Sequence, residues 1–120
     1  NRYLAGITEV ALKNHFKDKT NWRKMLTNDI VTTDLIHERL KLQQLLPAEV
    51  QEFFYFDKND VYEMNYPVLK YPTKINSLSL DKTPKFKGVL VGIKGQYLIF
   101  EDGTVFNISS FEGYVVSLQL

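Results

Sequence analysis

Between Lys13 and Lys24 the chain places five basic residues (Lys13, Lys17, Lys19, Arg23 and Lys24) against one acid, Asp18, with His15 and Trp22 set among them. Cations at this density can contact phosphate oxygens, and an interleaved ring can stack on a base. The stretch equally fits a solvated helix end, where cations complement the dipole and Trp22 turns into a core. A second stretch, Tyr66 to Gly95, carries Lys70, Lys74, Lys82, Lys85, Lys87 and Lys94 against Asp81, a local charge of +5, with Tyr66 and Tyr71 interleaved. Small β-barrels bind single strands on such surfaces. Lysines there also blunt sheet edges. The third feature is Glu9, a lone carboxylate among Ile7, Val10 and Leu12. One reading turns it to solvent, paired with Lys13 four residues on. The other makes it a metal-binding and catalytic carboxylate. One acid cannot fix a hard divalent cation, so substrate phosphate and water would then complete the ligand set.

Residue types and spacing exclude other chemistries. His15 and His37 share no zinc-binding spacing, and the chain has no cysteine, so neither a Cys-based zinc site nor a disulfide framework is available. Serines 77, 79, 109, 110 and 117 lack a nucleophile elbow. Gly88, Gly92 and Gly95 are spaced unlike a phosphate-binding loop. The net charge of +1, from 15 Lys+Arg and 14 Asp+Glu, hides a separation. Acids gather away from the basic stretches, at Asp29, Asp34, Glu38, Glu49, Glu52, Asp57 and Asp60. No apolar run approaches the roughly 18 residues of a membrane span. No membrane partner is expected, and the start does not read as a leader peptide, so the expected compartment is the cytoplasm.

These groups must be carried by elements. Leu4, Ile7, Val10 and Ala11 recur at helical spacing from about Tyr3 to Phe16. Thr20 or Asn21 can cap a short helix through Trp22, Met25 and Leu26, and Thr33 or Asp34 a further one that Pro47 stops. Pro47 also suits the first turn of another helix, Pro47 to Glu52. The cluster Phe53-Phe54-Tyr55-Phe56 is followed by a turn composition, Asp57 to Asp60. Val61 to Leu69, with Pro67 inside it, reads as an edge strand or an irregular crossing. Phe86 to Ile93, Gln96 to Phe100, Thr104 to Ile108 and Tyr114 to Leu118 read as four strands joined by glycine turns. The expected fold is α+β: N-terminal helices packed on an antiparallel β meander or small barrel. Residues 1–52 form the helical part and 53–120 the β-rich part. A first residue, Asn1, lying inside an amphipathic pattern leads to the expectation of further chain upstream.

Several strings together resemble a known family: Asn1-Arg2-Tyr3-Leu4-Ala5-Gly6, Glu9-Val10-Ala11-Leu12-Lys13, Asp18-Lys19-Thr20-Asn21-Trp22-Arg23-Lys24-Met25-Leu26, Tyr66-Pro67-Val68, Tyr71-Pro72-Thr73-Lys74, Asp81-Lys82-Thr83-Pro84, Gly92-Ile93-Lys94-Gly95-Gln96-Tyr97-Leu98-Ile99-Phe100 and Gly113-Tyr114. The pattern is similar to the C-terminal half of the bacterial family called domain of unknown function 2797. The chain departs from it at Ser109, where the family often carries Arg. The resemblance implies an upstream half with a zinc-ribbon-like segment and a core similar to GIY-YIG nucleases, in which a helix-borne Glu binds a divalent metal. Glu9 stands at a position similar to that Glu. The chain alone would then hold no cofactor and be inert, with the metal belonging to the full-length protein. The leading expectation is a module that contacts DNA or RNA through Lys13, His15, Lys17, Lys19, Trp22, Arg23, Lys24 and Lys94. The alternative is a structural or protein-interaction module in which Phe53 to Phe56 and the tyrosines serve self-association.

Overall fold

Asn1 starts the first helix by accepting the Tyr3 N–H on its side-chain oxygen at 3.0 Å. That helix, α1, spans Arg2–Leu12. In this computed structural model residues 1–17, 19–54 and 59–119 are described. Asn21 accepts the Lys24 N–H at 3.2 Å and caps α2, Trp22–Thr27. Asp34 accepts from the Ile36 and His37 N–H groups, each at 3.0 Å, and caps α3, Leu35–Gln43. Pro47 lies immediately before α4, Ala48–Gln51. Each cap satisfies N–H groups that the first helical turn leaves without a carbonyl. Of the aromatic cluster and turn expected at 53–60, Tyr55, Phe56, Asp57 and Lys58 lie outside the described residues. So do Asp18 of the basic stretch and Leu120.

Four strands form one mixed sheet: β1 (Asn76–Ser77), β2 (Leu90–Lys94), β3 (Tyr97–Phe100) and β4 (Thr104–Asn107), in the order β1-β4-β3-β2. The β2-β3 and β3-β4 pairs are antiparallel hairpins, as the glycine turns imply, whereas β1 runs parallel to β4. The fold is α+β, but the sheet is not closed, which corrects the expectation of a small barrel. Strands of two to five residues are too few and too short for closure. The expected last strand, Tyr114 to Leu118, is not one either. Asn76 and Ser77 already fill the position beside β4 that a further meander strand would take. The crossing before the sheet touches β2 at one bridge, Val68 to Gly92, flanked by Leu69 N–H to Val91 at 2.8 Å and Ile93 N–H to Pro67 at 3.0 Å. Glycine is required at 92, because a Cβ there would lie 2.9 Å from both Val68 methyls. It is required at 103 too, where φ is +83° and a Cβ would meet the Lys74 carbonyl oxygen at 2.5 Å.

The chain divides into two compact units. The first comprises Asn1–Thr20 and Val31–Glu63, and holds α1, α3 and α4. Among its described residues the buried apolar ones are Leu46 and Val50, which border an open groove of about 940 Å³ lined by side chains that include Leu4, Leu12, Phe16, Leu35 and Leu42. The second comprises Asn21–Ile30 and Met64–Leu120, so α2 folds with the sheet although it lies within the first 52 residues. Its core is Leu26, Tyr97, Ile99 and Val105, with Trp22, Met25, Val68, Ile75 and Val91 packed around them. Tyr97 and Ile99 alternate on β3 and present one face of the pleat to α2. An open sheet hides that face by covering it with a helix, and Leu26 supplies the cover.

Candidate nucleic-acid interface

The site grows from the two residues that end β2 and begin β3. Lys94 and Tyr97 are cross-strand partners flanking the Gly95-Gln96 turn, and both are buried. The Tyr97 ring stacks on Trp22, with centroids 5.7 Å apart and planes 10° from parallel. The Arg23 guanidinium carbon sits 4.5 Å from the centroid of the Trp22 ring. Trp22 is therefore half-buried and already stacked.

Lys94 is 7% exposed. Its ammonium nitrogen lies 5.2 Å from the centroid of Tyr66 and 4.9 Å from that of Tyr71. It also donates to Asn28 Oδ1 at 3.5 Å. Among the described residues no carboxylate lies within ion-pair distance of Lys94. Two π faces and an amide oxygen thus take the place of a counter-ion, an arrangement that suits an ammonium withdrawn from water. Asn28 reaches it because it ends α2 in the left-handed conformation, φ 57°, with its N–H on the Lys24 and Met25 carbonyls.

The predicted site residues fall into two groups. Glu9, Lys13, His15, Lys17 and Lys19 belong to the first unit and are all exposed. Lys13 ends α1, where a cation complements the helix dipole. Trp22, Arg23, Lys24 and Lys94 belong to the second unit. Lys24 is engaged with Asp29 at 3.2 Å, a pair more than half exposed on both sides. The basic stretch Lys13 to Lys24 is thus divided between the units. Glu9 takes part in no ion pair among the described residues, so the expected pairing with Lys13 is not formed. No group of three His, Asp or Glu among the described residues could hold a metal ion, and Glu9 alone does not fit a hard divalent cation. Among those residues no helix is long and apolar enough to cross a membrane.

Sequence reasoning named Lys94 and noted both tyrosines, but missed their convergence and the part of Asn28. The available signal was an Asn directly after the apolar face of α2, a residue that tolerates the left-handed cap. A separate contact ties the end of the described chain to the loop after β1. The Tyr114 hydroxyl donates to Asp81 Oδ1 at 2.5 Å, and that carboxylate holds the phenol above its ordinary value near 10.

A buried lysine clamped by two tyrosines at the end of β2, in a helix-covered, open mixed sheet, defines an α+β protein whose polar site lies in its sheet-bearing unit. The chain belongs to the family described as "Protein of unknown function (DUF2797)", whose model matches residues 1–116. No curated protein and no solved structure matches it.

Proposed function

We propose that this chain is a nucleic-acid-associated module and that its sheet-bearing unit supplies the phosphate contacts. The observation that carries the reading is the partition of charge. The second unit has eight Lys/Arg against five Asp/Glu, a net +3, while the first has seven against nine, a net −2. Arg23, Lys70, Lys74, Lys82, Lys85 and Lys87 of the positive unit are all exposed. Such a surface gathers phosphate by releasing condensed counterions, so affinity falls as salt rises. Lys94 is too buried to contact phosphate and serves instead to support the surface. Anisotropy titrations with labelled DNA and RNA across a salt series test the reading. With about four phosphate contacts, log affinity against log salt should slope near −3 for a single strand. No binding at low salt, or binding indifferent to salt, removes the proposal.

A second reading has an observation of its own. The open apolar groove of the first unit, bordered by Leu4, Leu12, Leu42 and Phe53, fits a protein-interaction or self-association role. Light scattering over a concentration series checks it, with a constant monomer mass as the contrary result.

The similarity of that family's upstream half to GIY-YIG nucleases, implied by the resemblance, motivates one finer proposal. The chain by itself is inert, and Glu9 serves a divalent metal only where further ligands from the full-length protein meet it. Full-length protein assayed with Mg²⁺ or Mn²⁺ beside Glu9→Gln decides this. Equal nuclease activity in both takes Glu9 out of the chemistry.

A further inference from the structure

Tyr66 has two different surroundings. One is the Lys94 ammonium, 5.2 Å from the ring centroid. The other is a shallow cleft of about 450 Å³, lined by Tyr66–Leu69 from the crossing and Leu90–Ile93 from β2. The cleft is apolar because Val68, Leu69, Leu90 and Val91 line it, and Val68 lies close against Gly92. Tyr66 is still 43% exposed, so its ring keeps surface to offer. Exposed Lys70 follows the cleft residues on the crossing, and exposed Lys87 precedes them on the chain leading to β2.

A flat aromatic group with a negatively charged tail fits these features together. The ring of Tyr66 provides a face for stacking, the aliphatic side chains provide contact for the edges, and the lysines provide charge for the tail. Lys94 matters because it holds the ring before anything binds. A ring fixed by a buried cation loses little freedom on stacking, so more of the stacking energy appears as affinity. Duplex bases are already stacked on each other, so the ligand must come from a single strand.

We infer that Tyr66, held in place by Lys94, and the cleft between the 66–69 crossing and β2 form a stacking seat for an unpaired base of single-stranded nucleic acid. The inference rests on the nucleic-acid reading above and adds the strand type and the residue that reads it. Tyr71 and Asn28 complete the support, being the other partners of the same ammonium.

The test measures anisotropy with a labelled oligothymidylate of roughly 12 nucleotides, a length within the usual site size of such surfaces, and with a duplex of equal length. Tyr66→Ala should bind the single strand about tenfold more weakly, since removing one stacking ring typically costs that much. Its duplex affinity and salt slope should not change. Tyr66→Phe keeps the ring and should bind like wild type. Tyr66→Leu keeps apolar bulk without a ring and should lose as much as Tyr66→Ala, and a thermal melt shows that each variant is folded. Single-strand affinity within twofold of wild type in folded Tyr66→Leu overturns the inference, as does an equal loss for single strand and duplex. If salt-dependent binding persists in that case, only the stacking seat is lost. If wild type binds neither oligonucleotide, the nucleic-acid reading falls with it.

Discussion

Replacing Lys94 by Met keeps an unbranched side chain out to the ε position and removes the ammonium with its charge. The loss comprises two ring contacts, at 5.2 Å and 4.9 Å, and one long hydrogen bond to Asn28 at 3.5 Å. Each cation–π contact is worth about 1 kcal/mol and up to about 2 when desolvated, which the 7% exposure of Lys94 favours. Against that, Met pays no desolvation of an ammonium. The net expectation is a loss of about 1–2 kcal/mol, a fall in melting temperature of about 5–15 °C for a unit of this size. The specific part is isolated by a double-mutant cycle with Tyr71→Leu, which should give a coupling energy of about 1 kcal/mol. The assay is thermal and urea unfolding followed by circular dichroism. An unchanged or raised melting temperature in Lys94→Met, or additive effects in the cycle, refutes the clamp. Binding supplies a second check. Because Lys94 does not face solvent, its loss should leave the salt slope alone. A slope reduced by about one would place Lys94 on a phosphate.

Leu26→Ala empties a fully buried position between α2 and the sheet, and should cost about 2–5 kcal/mol in urea unfolding. Little change would mean that α2 does not cover the sheet. Gly103→Ala sets a Cβ against the Lys74 carbonyl at a φ of +83°, so it should lower the melting temperature by roughly 5 °C or more. A neutral effect would mean that the β3-β4 turn is placed differently. The Tyr114 phenol, raised through its hydrogen bond to Asp81, favours the fold in its protonated form. Its contribution is present below the unfolded value near 10 and disappears as pH rises through the higher folded value. Ultraviolet titration at alkaline pH should show Asp81→Asn moving that phenol back toward 10, and no movement would show that Asp81 is not the cause.

The local elements were legible because their signals are local. Asn21 and Asp34 were named among the cap candidates, and their side-chain oxygens do accept the helix N–H groups. The glycine turn expected between Phe100 and Thr104 is present and joins β3 to β4. Tyr114 to Leu118 misled, because strand propensity says that a segment can pair but not whether a neighbour is free. Asn76 and Ser77 had taken the edge of β4. The basic stretch from Lys13 to Lys24 is spread over both units. Adjacency in sequence joined residues that the fold divides, since Asn21 to Ile30 leaves its neighbours and folds with the sheet.

Turn chemistry and spacing by themselves settled the α+β class and the hairpins around Gly95 and Gly103, while the family was legible only as a resemblance of residue strings, which the match over residues 1–116 then showed. These follow from turn chemistry, side-chain period and residue strings, all of which act over a few residues. The site was decided by tertiary structure. Asn28, Tyr66, Tyr71 and Lys94 come from a helix end, an irregular crossing and a strand, separated by up to 66 residues. Their meeting depends on α2 packing against the sheet and on the crossing being held at Gly92. A lysine reads in sequence as a surface charge. Only the packing of two rings and an amide oxygen around it showed that this one is inside.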